Sequence, residues 1–365
     1  MMKYFAVLSL VVCSILFSSC VKTNKVLSIS DKGLFSLNYG NFEEQLNIFD
    51  VSKTGSINTS ITMRDGFFYI VNGETKKIMS LNSYGDLLSL YYNDDFYSGS
   101  NESIKNNSTY SIWKPIPYPF LLTGKVAVDS RKFMYAVGVV PKERNEQDEK
   151  ERLVCSTNDG LCAYWFGVNG FLRYQIPVRL SSIPRIVLDS STPSASSTDL
   201  FISIENMVPD CYAGLLYIKV DYYYSHIDAE SKTQSGIDYI KTLVYPLNIQ
   251  TGVFGESVNI SSYEDSVTED FSKIVYHMPY DFWGITKNNW MFFVVTTESG
   301  FNVQMIQPGT QNVIKRNLAV NFKDVLYYSL SLSSEGIISA LLCDKDSAKV
   351  VWWRTDSLID SVLKS

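Results

Sequence analysis

From Ser60 to Tyr92 the chain packs four apolar runs between three reversals, and this spacing constrains the fold more than any other feature. Ile61 and Met63 lie in the first run, and Asp65-Gly66 turns the chain back. An Asp-Gly pair supplies the positive φ angles that a two-residue hairpin needs. Phe67-Phe68-Tyr69-Ile70-Val71 follows without a polar residue, as expected of a strand covered on both faces. Asn72-Gly73 is the next turn, Lys77–Leu81 alternates, Tyr84-Gly85-Asp86 turns again, and Leu87–Tyr91 completes the unit. Four short strands joined by tight turns make a small antiparallel sheet that cannot cover its own faces.

The pattern recurs along the chain. Val126–Val137 holds a strand pair, and Leu153–Ile176 a hairpin in which Asn169-Gly170-Phe171-Leu172 repeats the Tyr84-Gly85-Asp86-Leu87 reversal. Thr251-Gly252-Val253-Phe254 repeats it again. Phe282–Val320 carries four strands, with reversals at Asn288-Asn289 and Ser299-Gly300. Val325–Trp353 carries three, with turns at Glu335-Gly336 and Asp344-Lys345-Asp346. Repetition of one sheet unit predicts an all-β chain arranged as a β-propeller of about six four-stranded blades, within a range of five to seven. The stretch between Ile183 and Asn259 leaves room for one or two of these units. The final unit is a strand short and Leu34–Asp50 is strand-like, so an N-terminal strand is expected to close the ring and hide its edge. A β-sandwich or a pair of β domains is the competing architecture, because turn spacing alone fits these too.

The N-terminus has the layout of an export signal. Lys3 precedes an apolar run over Tyr4–Phe17, then Ser18-Ser19-Cys20. The run is too short to cross a bilayer, which takes about 20 apolar residues. Leu16-Phe17-Ser18-Ser19-Cys20 resembles a bacterial lipobox, and the resemblance implies that Cys20 is lipidated after cleavage; the alternative is an ordinary secretory signal in which Cys20 is incidental. The expected organisation is a signal peptide over 1–19, a tether over 20–32 and one propeller domain over 33–365. Cys155 and Cys162 flank a turn and are the disulfide candidates in an oxidising compartment. The alternative is that they, with Cys211 and Cys343, are small buried apolar residues.

Chemistry is sparse. The chain has two histidines, His226 and His277, in different units and without a ligand partner at metal spacing. Asp221-Tyr222-Tyr223-Tyr224 offers a sugar-binding aromatic face or, alternatively, core. Glu264, Asp265, Glu269 and Asp270 cluster without the glycine and alternation of a calcium loop. Lys142–Arg152 reads as a solvated charged loop or short helix. Ser111–Phe120, with alternate prolines, reads as an extended crossover packed on the ring or an exposed recognition segment. No catalytic residue, metal site or cofactor is expected, and the chain reads as a non-enzyme. A formal net charge of −6 argues against a nucleic-acid partner.

Three stretches resemble an uncharacterised lipoprotein family of spirochaetes, treponemal and leptospiral. They are Leu34–Phe49, Met63-Arg64-Asp65-Gly66-Phe67-Phe68-Tyr69-Ile70 and Ser83–Asn93. The resemblance implies a lipid anchor and a six-bladed, NHL-like or TolB-like propeller, and it implies no catalytic residues. After Gly170 the chain departs from that pattern with Phe171-Leu172-Arg173-Tyr174-Gln175. The expected role is a lipid-anchored module of the cell envelope that binds or scaffolds a protein or glycan partner through its loops. The alternatives are an accessory to outer-membrane protein assembly and a propeller hydrolase or lyase acting on carbohydrate.

Overall fold

The computed structural model describes residues 26–48, 59–72, 77–93, 114–118, 126–129, 131–139, 161–166, 172–178, 183, 198–210, 215–227, 234–248, 251–259 and 281–363. Two strands, β1 (Ser28–Ile29) and β2 (Lys32–Asn38), precede the repeating units. The first sheet holds β3 (Thr59–Arg64), β4 (Phe67–Asn72), β5 (Lys77–Leu81), β6 (Leu87–Asn93) and β7 (Lys114–Tyr118). The second holds β8 (Val126–Val128), β9 (Met134–Val139), β10 (Leu161–Phe166) and β11 (Leu172–Val178). The third holds β12 (Thr198–Asp210), β13 (Leu215–Ile227), β14 (Gln234–Asn248) and β15 (Val258–Asn259). The fourth holds β16 (Asp281–Ile285), β17 (Met291–Thr297), β18 (Gly300–Ile306) and β19 (Val313–Ala319), with β1 added outside β19. The fifth holds β20 (Tyr327–Leu332), β21 (Ile338–Cys343) and β22 (Ser347–Trp353), with β2 added outside β22. Helix α1 (Asp356–Leu363) ends the described chain.

The first strand of every sheet touches the first strands of its two neighbours, in the order β3, β8, β12, β16, β20 and back to β3. That circuit is a closed propeller. Among the described residues it has five sheets, not the expected six or so, and two of the five have five strands rather than four. The difference lies in the segment with room for one or two units. There β12, β13 and β14 run for 13, 13 and 15 residues and form one large sheet. Length that would have made an extra blade lengthens these strands instead.

Alternation explains why the strands are apolar throughout. On β4, Phe68 and Ile70 pack with the fifth sheet's Leu341 and Val350. Tyr69 and Val71, pointing the other way, pack with Val126, Val128 and Met134 of the second sheet. The fourth and fifth sheets meet through Phe292, Val303, Ala340 and Val351, and the third and fourth through Val244, Phe282 and Phe293. On β4 a period of two residues thus sends alternate side chains to different neighbouring sheets.

The expected closure by an N-terminal strand is present. β2 pairs antiparallel with β22, Lys32 opposite Trp352 and Asn38 opposite Ser347. Leu37 of β2 is buried in the core shared by the fifth and first sheets. Beyond β2, Lys77 of β5 is fully buried, and its Nζ donates to the carbonyls of Phe42 (2.7 Å), Glu43 (3.2 Å) and Gln45 (2.7 Å). The turn leaving the closing strand is thereby fixed to the first sheet. Ser28–Ile29, inside the stretch read as tether, pairs parallel with β19. The Pro-rich segment supplies β7, paired parallel with β6 at the sheet edge. Proline lacks an N–H, and an edge strand tolerates that.

At the axis, β20 and β3 run side by side in constant step. Ser329 Oγ accepts the Ile61 N–H (3.2 Å) and Ser331 Oγ accepts the Met63 N–H (2.9 Å). Tyr327 donates its hydroxyl to the Thr59 carbonyl. Innermost strands have an unpaired backbone edge, and side-chain hydroxyls of the neighbouring blade satisfy it.

Ser331→Ala should lower unfolding free energy by about 1–3 kcal/mol, because the buried Met63 N–H loses its acceptor; chemical denaturation measures this. Lys77 gives a pH test. Burial lowers its ammonium from 10.5 to about 8, with Glu43 and Glu44 opposing. Between those values the unfolded chain holds more protons at this lysine, so stability rises with pH across the window. In Lys77→Met that part of the rise should be missing in urea titrations at stepped pH.

Candidate functional site

Because the innermost strands share one direction, the turns that follow them gather at one end of the ring. Three of these turns have the same construction. Asp129 N–H donates to the Phe133 carbonyl, Thr286 N–H to Trp290 and Ser333 N–H to Ile337. In each, the fourth residue returns a bond to the first: Lys132 to Asp129, Asn289 to Thr286 and Gly336 to Ser333. The first side chain then accepts the N–H of the fifth residue, at 3.0, 3.2 and 3.1 Å. The fourth residue has positive φ in all three: Lys132 63°, Asn289 59° and Gly336 95°. The first sheet uses the shorter Asp65-Gly66 reversal expected from sequence, with φ of 51° and 77°.

Among the described residues, turns of neighbouring sheets are linked. Lys287 N–H donates to the Ser334 carbonyl (2.9 Å), joining the fourth turn to the fifth. Lys132 places its Nζ 3.9 Å from the centre of the Phe67 ring, joining the second turn to the first. Between the fifth and first, Glu335 lies near enough to Arg64 for its charge to matter. Burial raises the Glu335 carboxyl, but hydrogen bonds from Ser334, its own backbone and Ser333, with the Arg64 charge, hold it below its ordinary value. Arg64 is half-buried, its Nε makes no hydrogen bond, and Asp65 is 3.7 Å away. Among the described residues the first turns therefore carry Arg64, Arg131, Lys132 and Lys287 as cations, against Asp65, Asp129 and Glu335.

In the first and fourth sheets the turn between the third and fourth strands reaches the same end. In the first sheet Asn82–Asp86 repeats the construction, with Asn82 Oδ1 accepting the Tyr84 and Asp86 N–H groups (2.9 and 3.0 Å). It leaves Tyr84 83% exposed. Helix α1 packs beside the fifth turn, where a side chain on Gly336 would meet Ile359 Cδ1 at 2.8 Å.

The turn motif went unread in the sequence. The signal was there, as a short polar residue, two variable residues, a residue tolerant of positive φ and a bulky apolar one. Asp, Thr and Ser alternate at its first position, so no single residue type repeats.

The residues singled out from sequence fare differently. Asp221 is buried and bound to Lys219 Nζ (3.0 Å) and Thr242 Oγ1 (2.6 Å). Tyr222 is fully buried, with its hydroxyl 2.6 Å from that of Tyr245, and burial raises it far above its ordinary range. These two belong to the core and not to a sugar-binding face. The lipidation residue Cys20 lies outside the described residues, as do Cys155, Cys211, His277, the 142–152 loop and the 264–270 carboxylates. Cys162 and His226 are placed as backbone in β10 and β13. Cys343 is a free thiol in the core, raised to about 12 chiefly by burial. Among the described residues no cluster of His, Cys, Asp and Glu suited to a metal occurs.

No protein-family model matches the chain. No curated protein matches it. Solved structures give likenesses in fold. A gluconolactonase from Xanthomonas campestris is 6% identical, with a TM-score of 0.32 over 88% of this chain and 98% of its own. Regucalcin, a calcium-binding protein from Agrobacterium tumefaciens, is 10% identical, with a TM-score of 0.35 over 90% and 95%. A mutant sialidase of Trypanosoma rangeli is 11% identical, with a TM-score of 0.37 over 93% and 62%. At these identities no residue and no activity passes to this chain. The expectation that it is not an enzyme is nevertheless corrected. Enzymes stand among the structures of similar fold, so missing motifs gave no ground for that exclusion.

Asp129 tests whether the turns hold the rim. Its Oδ1 accepts the N–H groups of Arg131 (2.8 Å) and Phe133 (3.0 Å) while 1% exposed. Asp129→Ala should lose about 1–3 kcal/mol of unfolding free energy. Asp129→Asn, which keeps one acceptor, should lose less in the same denaturation assay.

Proposed function

We propose that the chain is a lipid-anchored protein of the cell envelope that binds an anionic glycan at the end of the ring formed by the first turns. One observation carries this reading: in the described first turns four cations, Arg64, Arg131, Lys132 and Lys287, stand against three carboxylates, of which Asp129 is buried, although the whole chain has a net charge of −6. A local reversal of sign over a shared axis concentrates anions there. Tyr84, exposed at the same end, adds an aromatic face of the kind on which sugar rings stack. Anchoring rests on the lipobox-like Leu16–Cys20 and on the family resemblance. No described surface argues for scaffolding or for a part in outer-membrane protein assembly.

A second, catalytic reading is favoured by Glu335. Its carboxylate stands on the same turns as the cations that would hold an acidic saccharide and would be a proton acceptor there, although the hydrogen bonds that keep it ionised make it a weak base. On this reading the chain is a hydrolase or lyase acting on carbohydrate.

Calorimetric titration of the whole chain with polygalacturonate and dextran sulfate, with neutral dextran as control, tests the first reading. Binding to the charged polymers alone, weakened by salt, is expected. Arg64→Gln with Lys287→Gln should weaken it about tenfold or more, since hydrogen bonds to charged groups are the stronger class. Equal binding to neutral dextran, or no loss in the variant, contradicts the reading. New reducing ends or unsaturated uronate in the same mixtures would establish the catalytic one.

A further inference from the structure

The outermost edge of the fourth sheet combines exposed apolar residues with basic ones. There β1 lies beside β19, Ser28 opposite Asn317, and the Leu27 carbonyl accepts the Asn317 N–H at 3.0 Å. Val26 and Leu27, just before β1, are 41% and 64% exposed, and Val313 at the start of β19 is 38% exposed. Lys315 is exposed between them, and Arg316 beside it turns its guanidinium along the edge to the Lys315 carbonyl (2.7 Å). Apolar side chains interleaved with basic ones at a two-residue outer strand form a surface that water solvates poorly and anions attract.

The chain's own route says what covers this edge. Cys20 is six peptide steps before Val26, and a fully extended chain covers at most about 3.6 Å per residue, or roughly 22 Å. Acyl chains on Cys20 therefore hold Val26 within that distance of a bilayer. Lys22 and Lys25 lie in the same stretch, and Asp31 is the one acid between Cys20 and Lys32.

We propose that this edge, with Val26, Leu27, Val313, Lys315 and Arg316, rests on an anionic lipid surface. The ring then stands on its side, its axis along the membrane plane and both ends open to solution. This inference rests on the lipid-anchor reading above. It also gives that reading a consequence, since an edge-on ring leaves the cationic rim free for a soluble or cell-wall glycan. A second chemical signal beside the acyl group is what stable anchoring requires.

The test uses the full acylated chain in vesicles of phosphatidylcholine alone and of phosphatidylcholine mixed with phosphatidylglycerol. Palmitate labelling, lost in Cys20→Ala, first establishes the anchor. Amide hydrogen exchange is then followed peptide by peptide. Slowing of about fivefold or more is expected in peptides covering 26–29 and 313–317 on the anionic vesicles only. Lys315→Glu with Arg316→Glu should abolish that slowing while palmitate labelling persists. An unlabelled chain overturns both the anchor and the edge contact. A labelled chain that exchanges alike on both vesicles, or is protected at the turn end of the ring instead, overturns the edge contact alone.

Discussion

Where their side chains are described, the sheets of this chain bury apolar residues on two faces, and neither face can be left to water. Burying apolar surface is worth about 25 cal/mol per Å², and a two-sheet stack would leave two such faces exposed. A circuit gives each sheet two neighbours and no outer face. The circuit has to be completed by residues far apart in sequence, which is why the seam between the fifth and first sheets has several fastenings. Ser329 and Ser331 satisfy the innermost backbone of β3, β2 supplies the missing outer strand, and Lys77 fixes the turn that leaves it.

Architecture was largely legible, because its signals are local. Asp65-Gly66 can form only a tight reversal, and the uninterrupted Phe67–Val71 run can be satisfied only between two sheets. The missing strand of the last unit pointed back to Leu34–Asp50 for the same reason. Blade number was less legible. Between Ile183 and Asn259, strand length is set by pairing across a wide sheet rather than by turn residues. Long strands therefore read like extra short ones.

The candidate site was mostly illegible. Arg64, Arg131, Lys132, Lys287 and Glu335 are scattered over the sequence and fall at one end of the ring only because successive first strands share a direction. Each one alone is an ordinary surface charge. Asp221 and Tyr222 looked more suggestive in sequence, yet alternation sends them into the faces between sheets, where Lys219, Thr242 and Tyr245 satisfy them. Position around the axis, rather than residue type, separates rim from core here. The same logic sets the outer edge of the fourth sheet apart, where the route of the N-terminal segment gives Val26 and Leu27 a meaning their identities lack.

The closed circuit is tested most directly at its seam. Nuclear Overhauser contacts in the selectively labelled full chain report which protons lie within a few ångströms. A closed ring predicts contacts from the Ile61 amide to the Ser329 side chain and from the Met63 amide to that of Ser331. Their absence, with contacts inside β3–β4 and β20–β21 intact, would show folded sheets that do not meet around an axis and would contradict the propeller.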